Sequence, residues 1–162
     1  MIYFRTAVND DLLEVKKLLA ASALPFEDID NLISDFEIAL VDNKIIGAAG
    51  VEKHFPYMLI RSVVIDSAFR NKQIGYQLIH ALMDKLYPEN YKGFYLLTET
   101  AAAFFTKLGF MPVQRENVPV EIQLTTEFST ICPSSALVMY KLNSNNNLKY
   151  DYGKQSTCKR TG

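Results

Sequence analysis

The sequence predicts a mixed α/β fold, and three observations carry that reading. β-prone and helical runs follow one another in the order β-α-α-β-β-β-α-β-α-(α)-β, with no internal repeat. A tight polar pair, Asp42-Asn43, joins two adjacent β-prone runs as a hairpin. Directly behind the β-branched run Val63-Val64-Ile65, Gly75 opens a helix with Leu78, Ile79, Leu82, Met83 and Leu86 on one face.

The remaining elements read in order. Residues 2–7 form a short strand ended by Asn9-Asp10-Asp11, a cluster suited to capping a helix. Leu12, Val15, Leu18 and Leu19 recur at helical spacing to about Ala21, and Pro25 stops that helix. Phe26, Ile29, Leu32 and Ile33 predict a second short helix. Strands follow over 36–41, 44–52 and 58–65, with Pro56 interrupting between the last two. Pro88 ends the amphipathic helix, and residues 94–97 are a short apolar strand. Thr100 is placed to cap a helix over 101–108, with Gly109 where a left-handed cap belongs. Val118-Pro119 starts a short helix to Leu124, and 136–142 is the closing strand.

At 162 residues the chain has the length of one domain, read here as 1–142, followed by a polar, aperiodic tail over 143–162. Apolar residues make up 49% and charged residues 22%, the balance of a folded protein. Seventeen Lys and Arg against 18 Asp and Glu argue against a dedicated nucleic-acid binder, which needs a basic excess. No apolar run approaches the ~18 residues of a membrane span, and the N-terminus does not read as a secretion signal. With only Cys132 and Cys158, a disulfide framework is not expected and a reducing cytoplasm is.

The stretch from Ser62 to Tyr76, SVVIDSAFRNKQIGY, carries the chemistry. A strand runs into a basic loop and a helix starts at once. The first turn of a helix offers free N–H groups and the positive end of the dipole, which together hold phosphate. Arg70 and Lys72 add two cations, so a pyrophosphate fits the amides of about 71–76. The same pattern also describes a solvated surface loop.

The run R-x-x-Q-x-G at residues 70–75 resembles the Arg/Gln-x-x-Gly-x-Gly/Ala motif of the GCN5-related N-acetyltransferase (GNAT) superfamily. Ala103-Phe104-Phe105-Thr106-Lys107-Leu108-Gly109-Phe110 resembles that family's segment after the fifth strand, commonly A-x-x-F-Y-x-x-x-G-F. Together they cover about residues 59–110. The resemblance implies an α+β fold: a mostly antiparallel, twisted sheet of six to seven strands flanked by helices, its central parallel strands splayed. It implies acetyl-CoA as acyl-donor substrate and transfer of acetyl to an amine. The backbone of Val63, Val64 and Ile65 would pair with the pantetheine arm. Arg70, Asn71, Lys72, Gln73, Gly75 and Tyr76 would cradle the pyrophosphate. Thr98 would flank the thioester end, and Phe104 and Phe105 would cover the pantetheine. Dimers are frequent in the family, so a homodimer is the assembly it implies.

Two departures stand out. Gln73 replaces the motif's first Gly, either crowding the phosphate or adopting a φ that Gln tolerates. Phe105 stands where many members have the Tyr that protonates the leaving thiolate. That acid is then elsewhere, water, or absent. For the base, the candidates are Glu52, His54, Glu99 or a water relay. A strand amide such as that of Val64 would polarise the carbonyl.

On the acceptor side, Arg61 alternates with Ser62, which puts the two on opposite faces. Its guanidinium is read either as a fork for a substrate carboxylate or phosphonate, or as a salt bridge. Cys132 and Ser134 precede the final strand. Each is a candidate for a substrate contact or the missing acid, Cys132 also for an acyl carrier, and turn formation explains Pro-Ser-Ser as well. The run Leu96-Leu97-Thr98-x-Thr100-Ala101, with Val118-Pro119 and Cys132-Pro133, is similar to a subgroup associated with arsenic resistance. A single Cys in the folded region cannot chelate the metalloid through several thiolates, and no metal site is expected. The reading is therefore an N-acetyltransferase for a small amine, an amino acid or an anionic analogue among the candidates, working by direct attack in a ternary complex. The competing reading is a non-catalytic module that binds coenzyme A.

Overall fold

In a computed structural model of the chain, residues 1–131 and 134–143 are described. Seven strands form one sheet: β1 (Ile2–Thr6), β2 (Phe36–Val41), β3 (Lys44–His54), β4 (Tyr57–Ile65), β5 (Gly93–Thr98), β6 (Met111–Val113) and β7 (Leu137–Leu142), ordered β1-β2-β3-β4-β5-β7-β6. Every neighbouring pair is antiparallel except β4–β5, which is parallel. Parallel neighbours need a crossover, and α2 (Ile74–Leu86) supplies it. The β2–β3 hairpin turns on Asp42 and Asn43, both at positive φ (48° and 64°), the conformation a two-residue turn of right-handed twist requires.

The two faces of the sheet bury different elements. On one face α2 presents Ile74, Leu78, Ile79, Leu82, Met83 and Leu86 to Ala39, Val51, Met58, Ile60, Phe94 and Leu96. On the other, α1 (Leu12–Ala21) packs Val15 and Leu19 against Phe36, Ile38, Leu40, Ala48 and Val64. That second face continues past β4 as a cluster of Leu59, Tyr95, Val118, Ile122 and Val138, covered by α4 (Val120–Gln123). The β2 alternation, with Ala39 to one core and Ile38 and Leu40 to the other, is the period of two at work.

Four expectations need correction. Residues 26–33 form no α-helix: they run as turns into a short 3-10 turn at Ile33–Asp35. Ile29 and Ile33 still anchor in the core. Asp28 and Asp30, both poor helix formers, instead place their carboxylates on Arg61 and Lys16 from that segment. Asp11 does not cap α1 but reaches back to the Val8 N–H at 2.8 Å and forks onto Arg5 at 2.7 and 3.0 Å. Thr100 does not cap α3 (Ala102–Lys107); the Ala101 N–H donates to Thr98 Oγ1 at 2.9 Å instead. Strand β6, three residues paired to β7, was not expected, being too short to show a period. Gly109 does take the left-handed cap position, at φ 91°. The expected tail lies, from residue 144 on, outside the described residues. No helix among the described residues is long and apolar enough to cross a membrane.

Candidate active site

The β4–β5 ladder is short. It pairs Tyr57 with Gly93, Met58 with Phe94 and Leu59 with Tyr95, and there it ends. Beyond that point β4 runs on to Ile65 paired only with β3, and β5 to Thr98 paired only with β7. The two strands therefore part, and each leaves one backbone edge without a ladder partner in the gap. Val63, Val64 and Ile65 lie on the β4 side of it. Their side chains are core, Val63 and Ile65 under α2 and Val64 under α1, so the free edge and the core role coexist.

Within this stretch β4 bulges. Gly50 pairs with Arg61 and Ala48 with Val64, so Ser62 and Val63 together face Ala49. Ser62 sits at φ 55°, a left-handed conformation that costs a side-chain-bearing residue roughly 1–2 kcal/mol.

At the C-terminal end of β4, Asp66 accepts the Ala68 N–H at 2.9 Å and fixes the turn into the basic loop. Asn71 and Gln73 both adopt positive φ (63° and 59°). Gln73 is thus in the backbone state that explains a glycine in the motif. It does not cap α2 with its side chain. The first intrahelical bond, Gln77 N–H to Gln73 C=O at 3.2 Å, leaves the amides of Ile74, Gly75 and Tyr76 with no partner inside the helix. Lys72 lies above the Phe69 ring, 5.4 Å from its centroid. Arg70 is placed differently from expectation: it donates to the Ile65 carbonyl at 3.1 Å and to Ser22 Oγ at 3.0 Å, tying the loop to the end of α1. A Cβ on Gly75 would fall 3.1 Å from Phe104 Cζ, so the glycine lets α3 approach the start of α2. Phe104, half-buried, stacks at 4.7 Å on Tyr76. An uncapped helix end below a one-sided strand edge fits a ligand with an anionic diphosphate and an amide-bearing arm. These residues suit coenzyme A.

Arg61 is the electrostatic centre of the opposite side. Its side chain is 1% exposed. Nη1 donates to Asp28 Oδ2 at 2.7 Å and to Glu52 Oε1 at 2.9 Å, and Nη2 to Asp28 Oδ1 at 2.7 Å. Nε lies 3.2 Å from both Ser62 Oγ and Glu127 Oε2. Burial, the largest single influence, pulls the guanidinium's pKa down, but the Asp28 hydrogen bond and the charges of Glu127, Asp28 and Glu52 outweigh it and raise it. Removing one partner of such a buried group costs about 3–5 kcal/mol. Two expectations fail here. Arg61 has four of its five N–H groups directed at the protein's own side chains, so it presents no fork to a substrate. Nor do Arg61 and Ser62 point apart, because the bulge breaks the alternation.

Of the other candidates, Glu52 joins this cluster, while Glu99 and Ser134 lie apart from it. Glu52 is only 12% exposed rather than solvated, with Oε2 3.2 Å from His54 Nε2. Glu99 is exposed on the loop after β5, and Ser134 exposed in the turn before β7. Cys132 lies outside the described residues. Phe105 is 5% exposed and belongs to the core under α2, not to a cover over the gap. Asp28 and Glu127 escaped sequence reading. Asp28 sits in the segment misread as a helix, and nothing in the local pattern of Glu127 links it to position 61.

The sheet parts beside an uncapped helix start, with carboxylates gathered around Arg61 on β4, an arrangement that suits an acyl-coenzyme. Residues 33–112 match the acetyltransferase (GNAT) domain family, and this segment of the chain belongs to it. The match singles out no subgroup, and no curated protein matches the chain by sequence. Among solved structures, N-acetylglutamate synthase from Neisseria gonorrhoeae, complexed with coenzyme A and N-acetyl-glutamate, superposes with a TM-score of 0.75 at 16% identity, over 88% of this chain and 35% of that one. The chain thus spans about a third of that enzyme. Rv2747 from Mycobacterium tuberculosis, in complex with CoA, gives 0.74 at 19% identity over 86% and 98%. A GNAT-family acetyltransferase from Staphylococcus aureus gives 0.70 at 17% over 88% and 99%. At such identities the likeness is one of fold.

Proposed function

We propose that residues 1–142 form an acetyl-CoA-dependent N-acetyltransferase domain acting on the amine of a small molecule by direct attack in a ternary complex. One observation carries this reading: the β4–β5 ladder stops at Leu59 and Tyr95, directly ahead of the uncapped start of α2. The amides of Ile74, Gly75 and Tyr76, with Asn71, Lys72 and Gln73, hold the diphosphate. The free edge at Val63, Val64 and Ile65 pairs with the pantetheine, and Thr98 and Phe104 border it. Arg70 supports the loop through Ser22. Acetyl-CoA supplies the thioester. The Val64 N–H lies in phase with that of Asp66, which donates to the Ile46 carbonyl on β3, so it is the Val63 and Ile65 amides that face the gap. One of them polarises the thioester carbonyl, and Glu52 takes a proton from the acceptor ammonium, directly or through one water. The amine forms the C–N bond as the C–S bond breaks, and its second proton leaves with the thiol.

The acceptor arrives as a cation. Asp28, Glu52 and Glu127 outnumber Arg61, which favours an ammonium. An anionic analogue loses the free guanidinium on which that idea rested. Low cysteine content favours the cytoplasm, and near-neutral charge disfavours nucleic-acid and membrane partners.

Isothermal calorimetry with acetyl-CoA, followed by thiol release with a panel of primary amines, tests the proposal. Binding with amine-dependent release above hydrolysis supports it. Glu52→Gln is expected to lower kcat about a hundredfold with KM for acetyl-CoA within about twofold. Binding without release from any amine favours the non-catalytic module, for which the missing Tyr at Phe105 speaks. No heat of binding ends both readings.

A further inference from the structure

Ser62 holds a conformation that extended strands avoid, and it is not a glycine. Such a state persists only where its surroundings over-determine it. The surroundings are specific here. Arg61, its neighbour in sequence, is fully buried and reaches Ser62 Oγ with Nε. The same guanidinium is fixed from three separate segments: Asp28 on the loop between α1 and β2, Glu52 on β3, and Glu127 beyond α4. Four hydrogen bonds and the Glu127 ion pair on one planar group leave it little rotational freedom.

We propose that Arg61 is a positioning residue: clamped by Asp28, Glu52 and Glu127, it holds the Ser62 bulge and so aims the β4 amides of Val63 and Ile65 into the gap. This inference rests on the acyltransferase reading, because the aim matters only if a thioester carbonyl lies there. It assigns Arg61 itself a task in the transition state rather than in substrate capture. A bulge left to relax would restore the two-residue alternation, turn Val63 and Val64 over, and displace the amide that polarises the carbonyl. The clamp also ties that aim to the two loops bearing Asp28 and Glu127.

The test uses Arg61→Lys, which keeps the charge and loses the fork, alone and combined with Ser62→Gly. Arg61→Lys is expected to lower kcat about tenfold with KM for acetyl-CoA within about twofold. The Ser62 Cα and Cβ chemical shifts should move from left-handed to extended values. Ser62→Gly in the same chain should recover most of the loss, since glycine takes positive φ without a Cβ penalty. A purely structural ion pair would lower thermal stability with no such rescue. A double variant no faster than Arg61→Lys, or Ser62 shifts that stay left-handed, overturns the proposal. Should Arg61→Lys not fold, Asp28→Asn loosens the clamp from its part-exposed end, with a smaller drop and the same rescue expected. A wild-type chain that binds acetyl-CoA yet acetylates no amine defeats the acyltransferase reading, and with it the task assigned to Arg61. The shifts then still report separately whether the clamp holds Ser62.

Discussion

Phe105 meets Phe110 edge-on, with ring centroids 5.7 Å apart and planes at 72°, and turns its other side to Phe104 at 4.9 Å. The ring is thus enclosed by aromatic side chains on the α2 side of the sheet. A hydroxyl added there does not automatically become an acid facing the gap.

Phe105→Tyr is therefore expected to cost stability without restoring a proton donor. Burying an unpaired hydroxyl costs about 1–3 kcal/mol. Urea denaturation reads the loss, and kcat should not rise. A faster variant of unchanged stability would show that the ring edge reaches the thiolate after all.

Gln73→Gly should stabilise the chain. Gln73 bears the left-handed penalty of roughly 1–2 kcal/mol, against which glycine's extra unfolded-state entropy of about 0.5–1 kcal/mol is smaller. The expected net gain is a few tenths to about 1 kcal/mol in a thermal melt, with acetyl-CoA affinity equal or tighter. A weaker coenzyme complex would mean that the Gln73 side chain itself contacts the ligand.

The paired tyrosines of β5 and β7, Tyr95 and Tyr140, make stability sensitive to alkali. Burial, and then the charge of Tyr57, push the Tyr140 phenol up to about 12, and burial raises Tyr95 as well. The two rings stack at 4.6 Å, with Tyr57 edge-on to Tyr95 at 5.5 Å. Below pH about 9 the Tyr95 and Tyr140 phenols are neutral folded or unfolded, and their contribution is constant. From about 9 to 12 the unfolded chain loses protons that the folded chain keeps, so stability falls as pH rises. Urea midpoints between pH 9 and 11.5 should drop, by less in Tyr140→Phe. Equal slopes in the two proteins would remove Tyr140 from the account.

Much of the fold was legible because its signals are local. Asp42-Asn43 tolerates positive φ, the one-sided pattern from Leu78 to Leu86 makes a helix that must bury a face, and Gly109 suits a left-handed cap. The phosphate end was legible for the same reason: a loop before a helix exposes its amides whatever surrounds it. The segment 26–33 was misread because apolar spacing alone does not distinguish a helix from turns that anchor Ile29 and Ile33 in the same core.

The sequence by itself determined the order of elements, the hairpin, the crossover helix and the uncapped amides at its start, since each follows from periodicity or backbone preference within a few residues. Only the tertiary structure decided that β4 and β5 part after Leu59 and Tyr95, that Ser62 bulges, that Phe105 is core, and that Arg61 belongs to Asp28, Glu52 and Glu127. Those outcomes depend on groups that meet only when distant segments pack. A buried charge selects its partners from whatever the fold brings within reach, which no local pattern records.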